Sequence, residues 1–157
     1  VLRKVLLWYE ADPASCAKPG PPFLYELPGG VFYGFPGNVE GRVKVARHTD
    51  GLPVDDPLKL DRTLRVEDHR PVDEFVGAWL HHVKRPQPCQ HAVCMYTMSP
   101  DQHFVLGSTE PGLAVAAGLS GHGYKFAPVI GEALADIAMQ GGTDLPIEFL
   151  APDRLFP

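Results

Sequence analysis

The chain has 157 residues and a net charge of −5, from 14 Lys and Arg against 19 Asp and Glu. That is one domain's worth of polymer, long enough to bury a core, and it lacks the Lys and Arg cluster that a phosphate-binding nucleic-acid surface needs. No apolar run approaches the roughly 18 residues that cross a bilayer, and three cysteines, Cys16, Cys89 and Cys94, are too few and too odd for a disulfide framework. A cytoplasmic protein with neither nucleic acid nor membrane as partner is the expectation.

The chain opens on Val1, without an initiator methionine and inside a β-pattern, and is expected to be a piece of a longer protein. Segments rich in β-branched and aromatic residues between Gly and Pro predict strands over 2–10, 23–27, 31–35, 42–48, 91–97, 103–107 and 113–118. Residues 11–22 read as a Pro-rich loop, and 49–71 as charged, turn-rich chain with at most a short helix. In "PVDEFVGAWLHHVKR" the residues Val72, Phe75, Val76, Trp79, Leu80 and Val83 recur at helical spacing, which predicts a helix over 71–85 with Pro71 in its first turn. His81 and His82 then fall near its end, complementing the helix dipole and partly solvated. A second helix is expected from Pro128 to about Met139, stopped by Gly141 and Gly142.

Three segments carry residues suited to chemistry. In "GLSGHGYKF" a strand runs into a loop with Gly118, Gly121 and Gly123 that opens a helix. Glycine lets backbone approach a ligand, and a helix start offers unpaired N–H groups to an anion. The spacing G-x-x-G-x-G is the reverse of the dinucleotide fingerprint, so the loop reads either as an anion site or as a tight strand-to-helix connection. In "GRVKVARH" strand alternation puts Lys44, Ala46 and His48 on one face and Val43 and Val45 on the other. Lys44 and His48 are then about 13 Å apart at ~3.3 Å per residue, at opposite ends of a pocket or on a wet face. Cys89, His91, Cys94 and His103 meet zinc-ligand spacing only loosely, and strand parity turns Cys94 away from Cys89 and His91, so no metal is expected.

Taken together, "YGFP" at 33–36, Lys44 with His48, "CMYTMSPDQHFVLG" at 94–107 and "GLSGHGYKF" at 118–126 resemble the C-terminal half of the monomeric sarcosine oxidase and N-methyltryptophan oxidase family, FAD-dependent amine oxidases of the D-amino-acid-oxidase-like superfamily. The resemblance implies an α/β (α+β) fold. Residues 1–98 would belong to a largely antiparallel substrate domain, and 99–157 to the strand–helix return of a Rossmann-like FAD-binding domain. It implies oxidation of a secondary or N-methylated amino acid by hydride transfer to FAD and then to dioxygen, giving an imine and hydrogen peroxide.

Cys94 occupies the position of the family cysteine that carries FAD through a thioether, with Met95 beside it. Lys44 matches the lysine implicated in activating dioxygen, His48 a substrate-side histidine, Tyr33 an aromatic residue of the substrate cavity, and Lys125 a lysine for the substrate carboxylate. Gly121, His122 and Gly123 would face the flavin, and Lys125 would lie beside it. Leu24 stands where some relatives have methionine. The family's N-terminal dinucleotide fingerprint is absent from these 157 residues, so a missing N-terminal half or a separate FAD-binding partner chain is expected. The rival reading is a non-catalytic fragment or subunit that depends on such a partner.

Overall fold

The computed structural model describes residues 1–16, 20–37 and 41–155, with the side chains of residues 15 and 16 left undescribed. The Cys16 thiol, residues 17–19 of the Pro-rich loop and residues 38–40 before Lys44 therefore lie outside the described residues. The chain divides into two compact units, one of Arg3–Met95 and one of Val1–Leu2 with Tyr96–Pro157.

The first unit is a sheet covered on one face by a helix. Strand β1 (Leu2–Glu10) is followed by a four-residue helix α1 (Pro13–Cys16), then β2 (Phe23–Leu27), β3 (Gly30–Phe35), β4 (Arg42–Arg47) and the short β5 (Leu52–Pro53). Helix α2 (Val66–Trp79) leads to β6 (Gln90–Tyr96). The sheet runs β2-β3-β4-β1-β5, with β6 also pairing β1. The pairs β2·β3, β3·β4 and β1·β4 are antiparallel.

Alternation sends Leu7, Tyr9, Phe32, Val43 and Val45 to one side, where they meet Val72, Phe75, Val76 and Leu80 of the α2 segment in a closed core. The Phe32 and Phe75 rings stack at 4.6 Å. Each such side chain contributes about 1.5–3 kcal/mol on burial, which outweighs any local preference of the strands. Tyr9 keeps its hydroxyl in this core because Asp73 accepts its proton at 2.8 Å. Burial and that carboxylate push the Tyr9 phenol far above its usual range.

Helix α2 begins five residues before the apolar periodicity does, and its start is electrostatic. The Asp68 carboxylate accepts from the Arg65 N–H at 2.9 Å, and takes both terminal nitrogens of Arg3 at 2.6 and 3.0 Å. Two further donors of Arg3 go to the Asp61 and Thr63 carbonyls. Pro71 thus sits inside the helix rather than in its first turn. The helix also ends early. Leu80 leaves helical geometry, and the bridge between Ala11 and Val83 draws the chain to the sheet, so His81 and His82 lie in the following turn and not in the helix.

In the second unit β7 (Val105–Glu110) and β8 (Leu113–Ala117) form an antiparallel hairpin, and α3 (Ala127–Gln140) packs on it. Phe104, Leu106, Ile130 and Leu150 form the core. Gly141 closes α3 at φ 80°, a left-handed conformation that glycine adopts without a Cβ penalty. Strand β7 starts two residues later than expected, because residues 99–103 turn under a Ser99 hydroxyl that donates to the His103 carbonyl. Arg154 holds the C-terminal turns to this segment, donating to the Leu150 and Phe104 carbonyls and pairing with Asp101. Among the described residues no helix is long and apolar enough to cross a membrane.

Removing one partner of a buried pair strands the other charge, so Asp68→Ala is expected to lose about 3–5 kcal/mol of stability in urea unfolding, and Arg3→Met with Asp68→Leu together markedly less. Burial raises the Asp68 carboxyl, but hydrogen bonds from Arg3 and the Arg65 N–H outweigh it and leave it below its ordinary value. The unfolded chain therefore takes up that proton first on acidification. The stabilisation is present at neutral pH and is lost as pH falls below about 4.

Candidate functional site

The sheet face turned away from α2 carries the first set of predicted residues. In the register, Lys44 stands opposite Phe35 of β3 and opposite Trp8 of β1. Side chains directly opposed on one face of an antiparallel pair meet. The Lys44 ammonium accordingly lies 5.4 Å from the Phe35 ring and 5.6 Å from the Trp8 ring. A cation between two π-faces is held upright over the sheet, each contact contributing roughly 0.5–1 kcal/mol. Tyr33, opposite Ala46, follows along the same face, 6.4 Å from Phe35 and 6.3 Å from the His48 ring. Leu24, opposite Tyr33, is exposed at the edge. Trp8, Tyr33, Phe35, Lys44 and His48 thus form one continuous cluster, aromatic with a cation at one end and an imidazole at the other.

His48 lies one residue beyond β4, and its backbone is fixed at both ends. Its N–H donates to the Val31 carbonyl at 2.7 Å. Its carbonyl accepts from Lys4, whose ammonium also serves the Thr49 and Asp50 carbonyls at 3.0 and 2.5 Å. Lys4 is only 4 % exposed. Burial lowers its ammonium to about 8, with Asp50 opposing and Arg47 reinforcing, so it is mainly cationic at neutral pH.

Cys94 and Met95 end the first unit on β6. The Cys94 thiol is free and exposed, 3.6 Å from the Met95 carbonyl. Cys89 is likewise a free exposed thiol, donating to the Trp8 carbonyl.

In the second unit the glycine loop connects β8 to a 3-10 turn over Tyr124–Phe126, which runs directly into α3. Ser120 anchors it. It is buried at φ 48°, its N–H donates to the Thr97 carbonyl, and its hydroxyl donates to the Gly118 carbonyl. Gly121 follows at φ 79° with its α-carbon against the Tyr96 ring, where an added Cβ would overlap ring atoms. The His122 ring lies tilted against Phe104, centroids 4.8 Å apart, and directs Nδ1 at the Ser120 carbonyl, 3.0 Å away. A carbonyl only accepts, so the proton sits on Nδ1. Gly123 is buried at the head of the 3-10 turn, and Lys125 is exposed with its ammonium 5.4 Å from the Phe126 ring. Behind the loop lies an apolar cavity of about 290 Å³, lined by His122, Phe126 and Ile130 among others.

The structure brings Tyr33, Lys44 and His48 onto one face and places Gly121, His122, Gly123 and Lys125 in one anchored loop. The pattern of residues gives no sign of Trp8, Lys4 or Ser120. Trp8 needs the β1·β4 register, Lys4 reads as an exposed strand cation, and Ser120 reads as loop filler. In the first unit the exposed Cys94 thiol is a free nucleophile and the Lys44 cation over aromatic rings favours developing negative charge; in the second unit, taken by itself, a helix start preceded by glycine offers N–H donors to an electron-rich group.

Residues 3–137 match the family described as FAD dependent oxidoreductase, DAO. The chain is 34% identical to the monomeric sarcosine oxidase of Bacillus sp. (strain NS-129), with 97% of this chain and 40% of that protein covered. It is 37% identical to the monomeric sarcosine oxidase of Streptomyces avermitilis, with coverage of 98% and 42%, and 35% identical to the N-methyl-L-tryptophan oxidase of Salmonella enteritidis PT4, with coverage of 88% and 38%. The chain thus spans about 40% of the length of the curated relatives it matches. Among solved structures it shares its fold with the L-proline dehydrogenase from P. horikoshii, at TM-score 0.75, 23% identity and coverage of 97% and 39%. It shares it also with NikD, an amino acid oxidase essential for nikkomycin biosynthesis, at TM-score 0.70, 20% identity and coverage of 96% and 41%.

The loop geometry makes a paired expectation. Gly121→Ala forces a Cβ into the Tyr96 ring at a left-handed position and is expected to lose about 1–3 kcal/mol in denaturant titration. Gly131→Ala, in α3 with open space at its α-carbon, should instead gain about 0.5–1 kcal/mol.

Proposed function

The chain belongs to the family of FAD-dependent oxidoreductases, and from that premise we propose that it is the C-terminal part of an oxidase acting on secondary or N-methylated amino acids. The observation that carries this reading is the Lys44 ammonium standing between Trp8 and Phe35 on the face that also holds Tyr33 and His48. The amine substrate class is inferred from the printed names of the relatives, sarcosine oxidase and N-methyl-L-tryptophan oxidase. When bound, FAD supplies the hydride acceptor and the passage of two electrons to dioxygen, so that amine and dioxygen become imine and hydrogen peroxide and water hydrolyses the imine.

The protein's own residues do the positioning. Trp8, Tyr33 and Phe35 wall an apolar surface that strips water from the amine and holds it in a productive orientation. His48 is assigned a hydrogen bond to the substrate carboxylate, and Lys125, on the other unit, is assigned a carboxylate-binding role by its resemblance to the family lysine. Lys44 presents a fixed positive charge where dioxygen takes on electrons, which lowers the cost of that step without reorganisation of water. Cys94, with Met95, would hold FAD through a thioether. Gly121, His122 and Gly123 would offer backbone N–H groups to the flavin, and Lys125 a cation. The nucleotide portion of FAD is assigned to a further part of the protein or to a partner chain, since these 157 residues hold no dinucleotide fingerprint.

The complete protein, denatured in acid, is expected to retain flavin absorbance on the polypeptide, and Cys94→Ala to release it. A colourless, unmodified polypeptide would favour the reading as a non-catalytic subunit. Stopped-flow mixing with dioxygen supplies the second test. Lys44→Met should slow reoxidation of the reduced protein about 100-fold or more while substrate still reduces it under argon, whereas an unchanged rate of reoxidation would point to a dehydrogenase that avoids oxygen.

A further inference from the structure

A buried lysine that donates to three consecutive carbonyls is an unusual use of a cation. In β1 the residues Arg3, Leu7 and Tyr9 serve the α2 side, while Lys4 shares strand parity with Trp8 on the opposite face. Its ammonium lies 2.9 Å from the His48 carbonyl, 3.0 Å from that of Thr49 and 2.5 Å from that of Asp50. Three carbonyls turned to one point face a cation in place of water, and the chain pays for that arrangement with Asp50 at φ 58°. The turn is braced further by Thr49, whose hydroxyl oxygen accepts from the Val31 N–H, and by the Arg47–Asp50 ion pair at 2.6 Å. With the His48 N–H on Val31 and its carbonyl on Lys4, both peptide planes flanking the His48 α-carbon are fixed. That sets the direction in which the imidazole leaves the sheet, toward the Tyr33 ring.

We propose that Lys4 is a positioning residue for substrate binding, which acts through the His48 backbone to hold the imidazole in place. This rests on the assignment of His48 to the substrate carboxylate. A side chain that only stabilised the sheet would change the unfolding midpoint and nothing else. A positioning residue changes the ground-state affinity for carboxylates, and its effect vanishes once the imidazole is gone.

The test is a double-mutant cycle in the complete, flavin-loaded protein, with acetate as the probe carboxylate. Its affinity is read from the perturbation of flavin absorbance, and steady-state KM and kcat are measured for an N-methyl amino acid. Lys4→Met leaves three carbonyls unpaired and is expected to weaken acetate binding and raise KM about tenfold, with kcat little changed. Lys4→Gln keeps two of the three N–H donors, uncharged, and should fall between Lys4→Met and the natural protein. His48→Ala should weaken acetate binding, and Lys4→Met added to it should weaken it no further. Full additivity of the two changes, or unchanged affinity in Lys4→Met, overturns the proposal for Lys4. Unchanged affinity in His48→Ala overturns the assignment of His48 itself. If Lys4→Met does not fold, the same cycle run with Lys4→Gln decides between these outcomes.

Discussion

The register between β1, β4 and β3 is the constraint on which the first unit's candidate site depends. Strand side chains alternate with a period of two, so shifting β4 by one residue would carry Lys44 into the core and Val43 and Val45 out of it. Phe32, Val43, Val45, Leu7 and Tyr9 are closed beneath α2, and that burial makes any slipped register prohibitively costly. The hydrophobic effect on one face of the sheet therefore fixes the polar chemistry on the other. Lys44 faces two aromatic rings because valines on either side of it must be buried.

In the second unit the same task is performed by polar groups. Ser120 spends its hydroxyl and its N–H inside the loop, Tyr96 occupies the space beside Gly121, and His122 is tied back to Ser120. Arg154 joins the C-terminal turns to the segment before β7. These contacts hold the loop's shape while leaving Tyr124 and Lys125 outward. A rigid support beneath an exposed strand-to-helix junction is what preorganised recognition of an anionic or electron-rich group requires.

The strands are legible in the sequence to within two or three residues at most ends because their β-branched and aromatic runs are bounded by Gly and Pro. Helix α3 is legible because Pro128 and Gly141 mark its ends. Helix α2 is misplaced by the same kind of reading, which follows apolar periodicity and so begins at Pro71. Its true start is set by Asp68 meeting Arg3, residues 65 positions apart, and no local pattern registers such a partner. Lys44, Ala46 and His48 share a face by parity alone, whereas their neighbours Trp8 and Phe35 require knowledge of which strands pair. Lys4 looks like an ordinary surface cation, since three carbonyl acceptors are supplied by backbone and leave no trace in residue types.

The three-carbonyl clasp around Lys4 also bears on how this chain can vary over evolutionary time. An ammonium offers three donors at fixed angles, and the acceptors come from adjacent peptide units, so the connection from β4 to β5 has one workable length. Insertions and deletions, usually tolerated in loops between strands, would break the clasp here. Descendants of this chain should drift freely in composition along that stretch while keeping its residue count.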